Sequence, residues 1–367
     1  MTEPPTGPPP TGPPTTGTQS PDDTPTGASS PGPGETTTSA IHPSALPGGV
    51  FPGHGGPRRR WTRPRYLNAR RRRPRTAFVF AGGGARGAAQ IGMLQALINR
   101  GIAADDVYGA SVGAINAAGY AGDPTPAGVE RMAELWRKVT REDIFPPGRI
   151  PGPWRFLQQR EAVHGNEGIR RVIENGLTFA RIEDAAVHLE VVATSLTDGR
   201  TQWFTYGPAT EAILASAALP SLLPPVEIGH ESFIDGGVVD NVPIGRAMAH
   251  GAERIFVLLC GPLRYTPHRY RRPIEAVLTA FFIAVHAKFA RELERLPAGV
   301  EVIVFSVDSD PVSRYDDFSG TEALITAGRT NAEIVLDFWS AGGHGSGTGR
   351  PPVSSGDELE ATSGEAV

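Results

Sequence analysis

The stretch 76–120, TAFVFAGGGARGAAQIGMLQALINRGIAADDVYGASVGAINAAGY, admits few folds. Its apolar run 77–81 is rich in Phe and Val and ends abruptly at Gly82, Gly83 and Gly84. A short apolar run closed by glycines marks a buried parallel strand. Ala88, Ile91, Leu94, Ala96, Leu97 and Ile98 then follow helical spacing, and Gly101 supplies a stop. A second short strand, 107–110, runs into Gly109-Ala110-Ser111-Val112-Gly113, a G-x-S-x-G turn that opens another helix.

The remainder alternates in the same way. Helices are predicted over 126–139, 168–177, 209–218, 243–250, 273–296 and 320–339. Strands are predicted over 187–193, 200–205, 232–234, 254–260 and 300–307, with the Asp198-Gly199 turn making 200–205 a hairpin partner. Strands alternating with helices imply an α/β fold, a mostly parallel sheet covered on both faces. The segment 140–162, rich in Pro, Gly and aromatics, is a long irregular connection that either covers a site or simply links two elements.

Composition sets the limits of the domain. Residues 1–56 hold 14 Pro and 11 Gly, few large apolar side chains and no Lys or Arg. They bury too little apolar surface to offset the entropy of ordering, so they are expected to be a disordered tail, as are residues 340–367. Residues 76–339 remain as one domain. Between tail and domain, residues 57–75 contain ten Arg and no acid, with Trp61 and Tyr66 interleaved. Such a segment is expected to attract anionic lipid surfaces, the alternatives being a merely solvated linker and, more weakly, a nucleic-acid contact. Cys260 is the single cysteine, so no disulfide framework exists. No leader is visible, and the longest apolar stretch, 276–285, falls short of the ~20 residues that span a bilayer. The expectation is a cytoplasmic protein, peripheral on the inner face of the membrane.

The motifs carry acyl-transfer chemistry. A serine on a sharp strand-to-helix turn projects from the sheet and sits in the positive field of its helix, with Gly109 and Gly113 leaving room for close packing. Backbone N–H groups at Gly83, Gly84 and Ala85 have nothing blocking approach and could converge on an oxyanion. Arg86 either anchors this turn or steers an anionic headgroup. The same glycines fit a dinucleotide fingerprint through Gly82, Gly84 and Gly87, but Asp105 and Asp106 precede the second strand where the ribose-binding acid should end it. None of the nine histidines is framed as a base. Asp235, at a strand end before Gly236 and Gly237, is framed, and its free pKa of ~3.9 would need raising by desolvation. No His/Cys/Asp/Glu cluster shows metal-ligand spacing, so neither metal nor cofactor is expected.

Gly82-Gly83-Gly84-Ala85-Arg86-Gly87, Gly109-Ala110-Ser111-Val112-Gly113, Ala215-Ser216-Ala217-Ala218-Leu219-Pro220 and Asp235-Gly236-Gly237 resemble, in order, the four blocks of the patatin-like phospholipases, in particular the bacterial branch. The resemblance covers about 77–260. It implies a three-layer sandwich and a Ser111–Asp235 dyad with an oxyanion hole at Gly82, Gly83, Gly84 and Ala85. It also implies a lipid acyl-ester substrate. The rival classes are a dinucleotide-binding oxidoreductase and a non-catalytic membrane or nucleic-acid adaptor. The resemblance leaves the preferred lipid and the oligomeric state open.

Overall fold

The computed structural model describes residues 48–52, 73–145, 162, 164–263, 273–307 and 316–342. Nine strands form one sheet: β1 (Gly48–Pro52), β2 (Thr76–Phe80), β3 (Asp106–Ala110), β4 (His188–Ser195), β5 (Thr201–Phe204), β6 (Val226–Ile228), β7 (Glu231–Asp235), β8 (Arg254–Leu258) and β9 (Glu301–Phe305). Their order is β1-β9-β8-β2-β3-β4-β7-β6, with β5 also pairing β4. The central five, β9-β8-β2-β3-β4, are parallel, and every outer pairing is antiparallel.

The helices are α1 (Ala88–Asn99), α2 (Val112–Gly122), α3 (Pro126–Lys138), α4 (Arg141–Ile144), α5 (Glu167–Gly176), α6 (Ala209–Ser216), α7 (Gly237–Asp240), α8 (Ile244–Ala249), α9 (Pro273–Leu293) and α10 (Thr321–Ser340). Alternation along the strands sorts them into two layers. Phe78, Phe80, Val107 and Leu189 face a core shared with α1, α2, α3, α6 and α10. Ala77, Val79 and Tyr108 face a second core with Ile244 and Ala247 of α8 and Phe289 of α9. The result is the expected three-layer α/β sandwich.

The chain winds outward from β2 through β3 to β4, then returns to the other side of β2 with β8 and β9. The crevice of such a sheet opens at the carboxyl ends of the strands that part company, here β2 and β8. Two buried carbonyls gather there, Leu258 O already accepting the Ala81 N–H at 3.1 Å, and Gln90 of α1 adds a second donor to each. Its Nε2 donates to Ala81 O and to Leu258 O, each at 2.8 Å. Its Oε1 accepts from Asn116 Nδ2 at 2.8 Å, and Asn116 Oδ1 accepts from Trp136 Nε1 at 2.9 Å. All of this lies buried directly behind the glycine turn.

Three expectations change. The segment 1–56 is not wholly without structure, because β1 pairs antiparallel with β9 from Gly48↔Phe305 to Pro52↔Glu301. A sheet edge offers unpaired N–H and C=O groups regardless of the partner's poor hydrophobicity. The strand β6 had no sequence signal, since Val226–Ile228 is only three residues long. The end of the basic segment is also structural. Arg75 forks onto Asp106 through two 2.6 Å bonds, and Arg73 meets Asp105 at 2.7 Å. Residues 57–72, the irregular connection over 146–161 and the tail beyond 342 lie outside the described residues. Among the described residues, no helix is long and apolar enough to cross a membrane.

Gln90→Leu should destabilise the protein by about 1–3 kcal/mol, because it removes three buried hydrogen bonds, to Ala81 O, Leu258 O and Asn116 Nδ2, the last keeping only Gly87 O. Urea unfolding of the wild type and the variant measures this.

Candidate active site

Ser111 sits between β3 and α2 with φ 55° and ψ −130°. A side chain in this sparsely populated region costs of order 1–3 kcal/mol, so neighbours must hold it there. Ser216, the buried serine that closes α6, does so: the Ser111 N–H donates to Ser216 Oγ at 3.0 Å. Gly113 is required one turn on, since a Cβ there would collide with the Phe80 carbonyl. Gly109 is packed against the backbone of Gly113 and Ala114 in the same way, and Gly87 against Val112 and Trp136.

Asp235 reaches the same place from the antiparallel side of the sheet. Ala110 lies opposite Val192 on β4, and Asp235 lies opposite Ala193 on its other side. Serine and aspartate therefore flank β4 at one level, and β4 presents only a methyl group between them. Ser111 Oγ donates to Asp235 Oδ2 at 2.6 Å, and the Gly237 N–H donates to Oδ1 at 2.7 Å. The backbone is fixed by the third block, since Asp235 N–H donates to Ala218 O and Gly236 N–H to Ser216 O. Residues 216–218 thus act as a jig that holds both partners. Gly236 is packed on the Val192 carbonyl, and Gly237 leaves room for the Asn241 side chain.

The carboxyl of Asp235 is 1 % exposed. Burial pushes its pKa up to about 6, against the opposing pull of the Ser111 and Gly237 hydrogen bonds. Among the residues lining the cavity there is no histidine.

The glycine turn follows β2 beside this pair. Gly84 has φ 63°, a conformation that favours glycine. Among the described residues nothing accepts the N–H of Gly83 or Gly84, and both line the cavity with Ala85. Gly82 differs from expectation. Its N–H donates to Asn241 O at 3.2 Å, so it is committed to holding the turn and is not available to an oxyanion. Arg86 anchors the turn through Nε to Gly83 O at 3.3 Å and lies over the Phe282 ring. Cys260 backs Gly83, its buried thiol donating to Ala81 O and pushed up to about 12 by desolvation. Ser216 had only its place in the third block as a signal, and Asn241, six residues after Asp235, had none. Above the pair opens an apolar cavity, lined in part by Leu135, Trp136, Ile173, Leu223, Phe281 and Phe282. Asp105 and Asp106 lie at the opposite end of β3, paired with arginines, which removes the dinucleotide reading.

Residues 78–248 match the family model described as patatin-like phospholipase. The chain carries a patatin-like phospholipase domain over those residues. Lysophospholipase NTE1 of Candida glabrata is 33% identical over 198 residues, which are 52% of this chain and 11% of that protein. The lysophospholipase NTE1 of Saccharomyces cerevisiae is 31% identical over 191 residues, 50% of this chain and 10% of that protein. The patatin-like chain thus spans about a tenth of the length of these relatives. Both are fungal, and neither bears on the bacterial branch that the four blocks resemble. Among solved structures, VipD from Legionella pneumophila aligns at 15% identity with a TM-score of 0.38, covering 72% of this chain and 67% of that one. Human GIVD cytosolic phospholipase A2, in complex with methyl gamma-linolenyl fluorophosphonate, aligns at 12% identity and the same TM-score, covering 73% and 59%.

The raised pKa of Asp235 has a consequence for stability. The folded state holds this proton up to about pH 6, whereas an unfolded aspartate loses it near 3.8. Stability from this group is therefore lost as pH rises through that window, and the charge is a burden above it. Asp235→Asn should accordingly melt above the wild type at pH 7.5, and the gap should close by about pH 4.5. Thermal unfolding at the two pH values checks this.

Proposed function

We propose that the protein is a serine hydrolase of lipid acyl esters, with Ser111 as nucleophile and Asp235 as its base. One observation carries the reading: a 2.6 Å hydrogen bond from a strained serine to a buried carboxylate, beside two unengaged backbone N–H groups. Ser111 Oγ attacks the ester carbonyl while its proton passes to Asp235 Oδ2. The N–H groups of Gly83 and Gly84 hold the oxyanion, with Ala85 lining the same turn. Collapse returns the proton to the leaving alcohol and leaves an acyl-Ser111. Water then gives its proton to Asp235, and the acid is released as Ser111 is restored. The apolar cavity suits an acyl chain.

A carboxylate of ordinary pKa is a poor base near neutrality, and desolvation to about 6 brings it closer to the optimum. For a soluble short-chain ester, kcat/KM should therefore rise with pH on a limb centred near 6. Asp235→Asn should lose ~10²–10⁴-fold at every pH. A fluorophosphonate probe should label Ser111 alone, and Ser111→Ala should keep the fold but release no fatty acid from a mixed lipid extract. Labelling at another residue, or hydrolysis by Ser111→Ala, overturns the assignment.

We further propose that residues 57–75 hold the protein at anionic membrane surfaces as a tether. Pro52 pairs with Glu301 at the start of β9, and Arg75 precedes β2, so both ends of the stretch between them lie at the N-terminal edge of the parallel strands. Ser111 lies at the other edge, where Leu196, Val238 and Ile283 are exposed. Replacing Arg58, Arg59, Arg60, Arg63 and Arg65 with Gln should leave hydrolysis of a soluble ester unchanged. It should weaken activity on phosphatidylserine vesicles, and the difference should shrink as salt rises. Equal activity on those vesicles at low salt rules the tether out.

A further inference from the structure

The N-terminal edge of the sheet carries a cluster that hydrolysis does not use. His188 and Glu190 are two apart on β4 and so share a face, and His250 caps the end of α8. His188 Nε2 lies 3.0 Å and His250 Nδ1 3.3 Å from the same oxygen, Glu190 Oε1. The other oxygen, Oε2, is held by Arg246 Nε at 2.6 Å, and Arg246 lies over the Trp203 ring. The carboxylate is fully buried, while the two imidazoles are partly open to solvent. Beside them Tyr108 stands edge-on to His250, and its buried hydroxyl makes no hydrogen bond.

We propose that His188, Glu190 and His250 form a binding site for one divalent transition-metal ion of the zinc class, with a structural role. The three ligand atoms lie within 4.8 Å of one another. Bonds of ~2.0–2.2 Å in a tetrahedral shell set ligand atoms about 3.4 Å apart, so the two contacts to Glu190 are already near the required spacing. Two imidazoles and a carboxylate form a known zinc donor set, with a water in the fourth position. Arg246 occupies only the oxygen that a monodentate ligand leaves over, and orients it. The ion would clip β4 to the α8–β8 connection, at the far edge of the sheet from Ser111. The sequence spacing showed no such cluster because His250 is 60 residues beyond Glu190 in the chain, and only the H-x-E pair on β4 hinted at it.

The test titrates the full chain with Zn²⁺ by calorimetry and with Co²⁺ by visible absorption at neutral pH. The wild type and Ser111→Ala should each bind one equivalent, with the intense bands of four-coordinate cobalt and a raised melting temperature. His188→Gln and His250→Gln should each weaken binding by at least ~10–100-fold, the loss that even an outer-shell partner brings. His188 is half-exposed, so its variant should fold normally, which far-UV circular dichroism verifies. Absence of a stoichiometric site in the wild type overturns the proposal and leaves a hydrogen-bonded histidine–glutamate network. Binding of equal strength in His188→Gln and the wild type also overturns it, and assigns the ion to other histidines.

Discussion

A carboxylate at the bottom of an apolar cavity is the constraint around which this domain is arranged. Among the described residues no cation pairs with Asp235; it has a serine hydroxyl and one backbone N–H. Such a group is unfavourable in itself, and the surrounding structure holds it in place. The β6–β7 hairpin delivers it against β4, residues 216–218 fix its backbone, and Gly237 supplies the second hydrogen bond. Ser216, the first of these three, also holds Ser111 in its strained turn. Ser111 and Asp235 are thus both positioned by one short segment.

The glycine turn depends on a different arrangement. At the carboxyl ends of β2 and β8, buried carbonyls gather directly behind the glycine turn. Gln90, Asn116 and Trp136 satisfy those groups as a continuous buried chain, and such a chain is rigid only while every member is paired. From the other side, the N–H of Gly82 is tied to Asn241. What remains unengaged is the pair of N–H groups at Gly83 and Gly84.

Much of this was legible in the sequence, for physical reasons that can be named. The strands β2, β3, β8 and β9 are short apolar runs bounded by turn residues, and they lie within one or two residues of their expected places. Ser111 and Asp235 were found because glycines frame both. What stayed hidden depends on contacts distant in sequence. Gln90 looked like any polar residue in a helix, although its side chain is fully buried. Asn241 and Ser216 act through bonds to residues more than 100 positions away, Gly82 and Ser111. Gly82 was grouped with its neighbours because sequence does not reveal that its N–H is already taken. β1 was missed because an edge strand needs backbone more than hydrophobicity.

The forked bond between Arg75 and Asp106 fixes a polarity for the whole domain. It anchors Arg75 at one pole, and the cavity beside Ser111 opens at the other. The two poles therefore differ in chemistry, ion pairs at one and apolar side chains at the other. Under the proposed tether, an anionic bilayer would draw the basic pole toward it and leave the cavity facing away. Attraction and productive orientation are therefore opposed in a rigid body. Productive binding would then require the domain to turn over, so that Leu196, Val238 and Ile283 meet the lipid.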